Sequence, residues 1–177
     1  MLLISNLHPK KIIHKLAKLT MEKKEQIIQR LQYQHLSIIW LLKSLPAEKL
    51  LLKTAPTKWN IHELIAHLAR YQTVFMDRIK KMLNENQPLI TRYKAEEDPQ
   101  FDDWRKKSTI DLIQRLNADR QVIINQVMHL SEAHLQRAGV HTKYGEMNIL
   151  EWVDFFLHHE AHHSFVIFQL AHDTDLH

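Results

Sequence analysis

Residues His158–Leu170 read HHEAHHSFVIFQL, four histidines and a glutamate within six positions, followed directly by an apolar run. On a helix, residues four apart share a face, so the cluster holds two competing pairs, His158 with His162 and His159 with His163. The surrounding rhythm chooses between them. Trp152, Phe156, His159, His163, Val166 and Leu170 recur at intervals of four and three, which sets His159 and His163 on the buried stripe and leaves the other pair at its edge or outside. A helix that aims two histidines, one turn apart, at a helical core suits coordination of a divalent cation.

Working outward, the rest of the chain supplies the core. Two glycines in 177 residues leave little material for hairpins or phosphate-cradling loops, and the periodicity is helical, with no convincing strand alternation. A first helix is expected from Met21 to Leu45, capped by Thr20, with Ile27, Leu31, Ile38, Leu41 and Leu45 inward and Pro46 after it. The second opens at Asn60, where N-I-H-E forms a capping box with Glu63, and carries Leu64, Leu68, Tyr71, Phe75 and Met82 to a close at Asn84–Pro88. The third starts near Ser108, carries Ile113, Leu116, Ile123, Val127 and Leu130, and ends by Gly139. Asn148 opens the fourth, again with a carboxylate three residues on, and it runs to about His172. The longest link, 85–107, is long enough to cross or run back along a bundle. The expectation is an all-α fold, one four-helix bundle spanning 20–177 with a long crossover between helices two and three, behind a basic lead-in segment at 1–19.

Two histidines do not make a stable site, and His67 on the second helix, sharing a face with Leu64 and Tyr71, is the best third ligand. Its level matches the pair slightly better if helices two and four run antiparallel. Spacing alone leaves open whether these three meet or are core-edge histidines without chemistry. With no cysteine, any metal must rest on histidine or carboxylate. His159-Glu160-Ala161-His162-His163 also spells H-E-x-x-H, the zinc-peptidase pattern, but the third ligand of either zincin type is missing downstream. A peptidase is the weaker reading. His35 is expected to be a hydrogen-bonded core histidine rather than a support for the site, and His141 a solvated loop residue rather than part of a mouth.

The formal charge of +4 includes Lys10, Lys11, Lys15, Lys18, Lys23 and Lys24 near the N-terminus. Without interleaved aromatics or a reader motif this favours a solvated lead-in over a nucleic-acid partner. No segment reads as a signal peptide or membrane span, so a cytoplasmic location is expected.

Three stretches in order, KWNIHELIAHLARYQTVFMDRI (58–79), GVHTKYGEMNILEWVDFFLHHEAHHSFVIFQL (139–170) and the first helix followed by SLPAEKLLLKTAPTKW, resemble the DinB-like superfamily, which includes YfiT-type metal-dependent hydrolases and bacterial thiol-dependent S-transferases. The resemblance covers nearly the whole chain from Thr20. It implies an up-down-down-up bundle, a divalent metal (Zn²⁺ or Ni²⁺) held by His67, His159 and His163 with an open position, and a homodimer. It departs from the pattern after His67, where Arg70 and Gln72 stand in place of acidic residues. On this basis the chain is expected to be a metal-dependent hydrolase or thiol S-transferase acting on a small molecule, a low-molecular-weight thiol among the candidates, with Glu160 as base. The alternative is a non-catalytic, metal-stabilised bundle acting as an interaction module.

Overall fold

The computed structural model describes the backbone of residues 9–176 and the side chains of residues 19–176. The lead-in residues 1–8, and the side chains of Lys10, Lys11, Lys15 and Lys18, lie outside the described residues. Four long helices carry the architecture: α1 (Pro9–Tyr33), extended by the short α2 (Leu36–Leu42), then α3 (Ile61–Asn84), a short α4 (Phe101–Arg105), α5 (Thr109–His129), a one-turn α6 (Glu132–Leu135) and α7 (Ile149–His172).

Side-chain contacts fix the direction of each helix. Arg30 reaches Asp154 at 2.6 Å and Gln34 reaches the Leu157 carbonyl at 2.8 Å, so α1 and α7 run parallel. Lys24 donates to the carbonyls of Met128 and Leu130 while Arg120 donates to that of Leu31, so α1 and α5 are antiparallel. His62 meets Thr109 and Gln72 meets Arg120, which makes α3 and α5 parallel. His67 against His163, Tyr71 against His159 and Phe75 against Phe156 make α3 and α7 antiparallel. The order is up-down-down-up.

Both capping boxes form: Asn60 with Glu63, and Asn148 with Glu151. The first helix departs from expectation at both ends. It begins at Pro9 and passes through Thr20, which therefore caps nothing. It also breaks at Gln34 and His35. There the Leu31 carbonyl, which an unbroken helix would offer to the His35 N–H, accepts from the buried Arg120 guanidinium at 3.1 Å, and the chain tightens into i+3 bonds before α2 resumes.

A small sheet, which periodicity did not foretell, closes one end. β1 (Leu89–Ile90) pairs in parallel with β2 (Ala138–His141), and β2 pairs antiparallel with β3 (Gly145–Asn148). These strands are too short to show alternation. The hairpin turns through 142–144 with Gly145 at φ +79°, the left-handed residue such a three-residue loop needs. Gly139 does not end a helix: α5 stops at His129, and Gly139 lies in β2, where a Cβ would meet Ile90 and Met82 at 2.8–2.9 Å. Arg137, just before β2, donates to the carbonyls of Met82 and Glu85 and so satisfies the C-terminus of α3.

Two apolar clusters fill the bundle. One gathers Leu31, Phe75, Ile123, Trp152 and Phe156; the other Ile38, Leu68, Leu112, Phe101 and Ile167. Between them lies a buried polar layer of His35 from the break after α1, Gln72 from α3, Arg120 from α5 and Glu160 from α7. Arg120 is wholly buried and donates to Glu160, to Gln72 at 3.1 Å and to Leu31. The candidate site lies at this same level.

Candidate metal centre

His67 sits two turns into α3, and His159 and His163 sit one turn apart on α7, so antiparallel packing turns all three rings toward one point. The His67 and His163 Nε2 atoms lie 3.1 and 3.2 Å from His159 Nε2, and one ring nitrogen from each residue lies within 4.8 Å of the other two. A neutral imidazole has one proton and one in-plane lone pair, so His159 Nε2 serves one of its two contacts well and leaves the other unsatisfied. A cation between the three lone pairs satisfies all of them. The two short separations also approach the ligand–ligand edge of about 3.3 Å that metal–nitrogen bonds of ~2.0–2.1 Å give in a tetrahedral site. The residues present fit a divalent ion.

Electrostatics agree. Burial, with the charge of neighbouring His163, pushes His67 down to about 3. Burial with His163 and His67 pushes His159 down to about 2, and burial with His162 pushes His163 down to about 4. All three rings are neutral at physiological pH, the form that binds metal. Their Nδ1 atoms are buried with no hydrogen-bond partner among the described residues. Aromatic packing aims the rings instead: His67 lies 5.0 Å from Trp59 and 5.8 Å from Tyr93, and His159 lies 4.2 Å from Tyr71. Above them opens a cleft of about 620 Å³, walled by the crossover on one side and the β2–β3 hairpin on the other.

A profile of the DinB superfamily matches residues 31–166, more than three quarters of the chain. The chain belongs to the DinB superfamily. Among relatives of known sequence it is similar to the uncharacterized protein YuaE of Bacillus subtilis, 24% identical over 134 residues that cover 69% of this chain and 83% of YuaE. It is also similar to an Oceanobacillus iheyensis protein named "Putative metal-dependent hydrolase OB0413", 26% identical over 110 residues, 59% of this chain and 60% of that one. Among solved structures, YfiT from Bacillus subtilis, described as a probable metal-dependent hydrolase with an unusual four-helix bundle topology, superposes with a TM-score of 0.73. The match covers 100% of this chain and 95% of YfiT at 14% identity, a likeness of fold.

Within this DinB bundle the sequence-predicted residues fall into two groups. His67, His159 and His163 come together. Glu160 does not join them: on the next face of α7 and fully buried, it holds Arg120 in an ion pair and accepts from Gln34 at 3.0 Å. Its carboxylate is committed to the polar layer rather than free to act as a base, which also removes the glutamate that an H-E-x-x-H peptidase requires. Arg70 and Gln72, the departures from the family pattern, are structural too. Arg70 pairs with Asp98 at 2.7 Å and tethers the crossover, and Gln72 bridges Arg120 to the Leu68 carbonyl. His35 is the buried core histidine expected, beside Arg120. His158 and His162 are exposed.

His141 is placed differently from expectation. It is 3% exposed, held in β2 between Ile90 and Gly145, and it lines the cleft. Sequence reasoning also missed Arg78. Its signal was present, because Arg78 stands eleven residues after His67 on the same helical face, a charge on an otherwise apolar stripe.

Proposed function

We propose that this DinB-superfamily chain is a metal-dependent enzyme in which His67, His159 and His163 hold one divalent ion, Zn²⁺ or Ni²⁺, at the floor of the cleft. The observation that carries the reading is the convergence of three neutral imidazole nitrogens, with no hydrogen-bond partners but each other among the described residues, beneath an open cavity. A structural site would be closed by a fourth protein ligand; here the described residues offer three, and all three line the cleft. Imidazole donors accept either metal. The names borne by OB0413 and YfiT support metal-dependent hydrolysis, and transfer to a small thiol is the second chemistry such a centre serves.

An ion held there supplies Lewis acidity toward a water, a thiol or a carbonyl oxygen. The chain supplies the surroundings. Trp59, Tyr71 and Tyr93 pack on the imidazole rings and line the cleft beside them. The Tyr71 hydroxyl accepts from Arg78 at 2.6 Å, and burial holds its proton on despite the guanidinium charge. Glu160 and Arg120 hold α7 in rotational register so that His159 and His163 face His67.

Elemental mass spectrometry of the tag-free protein and of His67→Ala, His159→Ala and His163→Ala tests the reading. About one ion per chain in the wild type, lost from each variant with the helical circular dichroism unchanged, is the expected result. No retained ion after incubation with Zn²⁺ or Ni²⁺ would sink it. A hydrolase and thiol-transfer screen of the loaded protein then separates the two chemistries.

A further inference from the structure

Arg78 is only 8% exposed, yet no carboxylate lies within ion-pair distance of it among the described residues. Its Nη1 donates to the Tyr71 hydroxyl at 2.6 Å and its Nη2 to the Thr91 carbonyl at 2.8 Å. Its Cζ stands 5.4 Å from the Tyr71 ring centroid and 5.5 Å from that of Trp152. All of these partners are neutral. Cation–π contacts return less than an unpaired buried charge costs. Buried guanidinium groups are normally matched by an anion, and this one borders the cleft above the three histidines.

The rest of that wall has the same sign. Arg92 on the crossover and Lys143 in the hairpin turn are exposed, line the cleft, and have no acidic partner among the described residues. His141 adds a donor. Its Nδ1 accepts the backbone N–H groups of Lys143 at 2.9 Å and Tyr144 at 3.2 Å, so the neutral ring carries its proton on Nε2. Burial, then the charges of Arg78, Arg92 and Lys143, hold the ring neutral by lowering its pKa. All three cations line the same cleft as His141. Glu96 is the single acidic residue on the lining, and it is exposed.

We propose that the cleft takes its small-molecule ligand by an anionic oxygen group, a carboxylate or a phosphate, bound by Arg78 with support from Arg92, Lys143 and the His141 Nε2–H. The inference rests on reading the cleft as a ligand site, but the cations are independent of any metal. A clustered positive wall of low dielectric concentrates anions, and charge-assisted bonds to a guanidinium are among the strong ones.

Calorimetric titration of the full chain at fixed ionic strength tests it, with malonate, inorganic phosphate and uncharged malonamide as probes. Malonate or phosphate is expected to bind saturably and malonamide not; the tighter of the two anions identifies the group. Arg78→Gln is expected to weaken that binding about tenfold, and the Arg92→Gln/Lys143→Gln pair about fivefold. Both replaced residues of the pair are exposed, so the pair carries the test if Arg78→Gln lowers the thermal midpoint enough to cloud its result. Equal binding of malonate and malonamide, or anion binding unchanged in the folded variants, would overturn the proposal. His67→Ala separates it from the metal reading. Arg78-dependent binding that persists in this variant supports the anion site whatever the metal does. Binding that vanishes with His67 and ignores Arg78, Arg92 and Lys143 leaves the metal reading standing and removes this one.

Discussion

Metal-binding histidines usually donate their second nitrogen to a carboxylate or carbonyl, which orients the ring and raises its basicity. Here the three Nδ1 atoms lack such partners and the rings are aimed by stacked aromatics. Trp59→Ala is therefore expected to weaken metal retention roughly tenfold, the low end of the effect of losing an orienting group, which competition with a chelator measures. Away from the site, His35 gives the chain a built-in acid sensitivity. Burial, then the charge of Arg120, lowers its pKa from 6.5 to about 4. Between those values the unfolded chain binds a proton that the folded chain refuses, so stability is present in full above pH 6.5 and falls as pH drops toward 4. The loss reaches about 2 kcal/mol by pH 5. In metal-free protein the neutral His67, His159 and His163 act in the same direction. The His35 share is therefore read as the difference between wild type and His35→Gln in urea unfolding at pH 7.5, 6 and 5, the variant having the shallower slope. Buried titratable groups such as this one could be located on a helical face from sequence. Arg78 was equally visible there, but a guanidinium on an apolar stripe ordinarily snorkels to the surface, so its position carries no signal of burial.

At the scale of elements, what was legible was whatever has a local cause. Asn60 and Asn148, each with a glutamate three residues on, marked two helix starts to the residue, and replacing either by Ala should cost about 1 kcal/mol in chemical denaturation. What was not legible has a distant cause. The break after Tyr33 comes from a guanidinium 89 positions further along the chain withdrawing the Leu31 carbonyl. The third strand of the sheet exists through pairing between 89–90 and 140–141, and none of the strands is long enough to carry a period of its own. The two glycines separate these cases by experiment. Gly145→Ala meets open space but a left-handed backbone, and should cost about 1–2 kcal/mol. Gly139→Ala meets Ile90 and Met82 and should cost about 1–3 kcal/mol through overpacking. In a Met82→Ala background the cost of Gly139→Ala should shrink and that of Gly145→Ala stay the same, as a double-mutant cycle on thermal midpoints will show.

For the whole molecule, the polar layer is the feature on which the helices agree. Arg120 contacts groups from α1, α3 and α7, so Arg120→Met, which strands a buried carboxylate, should cost about 3–5 kcal/mol, while Arg120→Met with Glu160→Met should recover much of it. If the layer sets the rotation of α7, the single variant also loses metal affinity and the helical content stays. The up-down-down-up order has a further effect. Two neighbouring helices that run the same way oblige the chain to travel back the length of the bundle between them, and 85–108 is that obligatory return. The return passes beside the histidines and supplies Arg92 and Tyr93 to the cleft. None of the three histidines lies on it. This part of the cleft wall is therefore written in a stretch of the gene apart from the three rings, whereas Arg78 shares α3 with His67. Substitutions at the exposed Arg92 can thus reshape the cleft wall without touching the rings, while Tyr93, packed on His67, ties the same return to the centre.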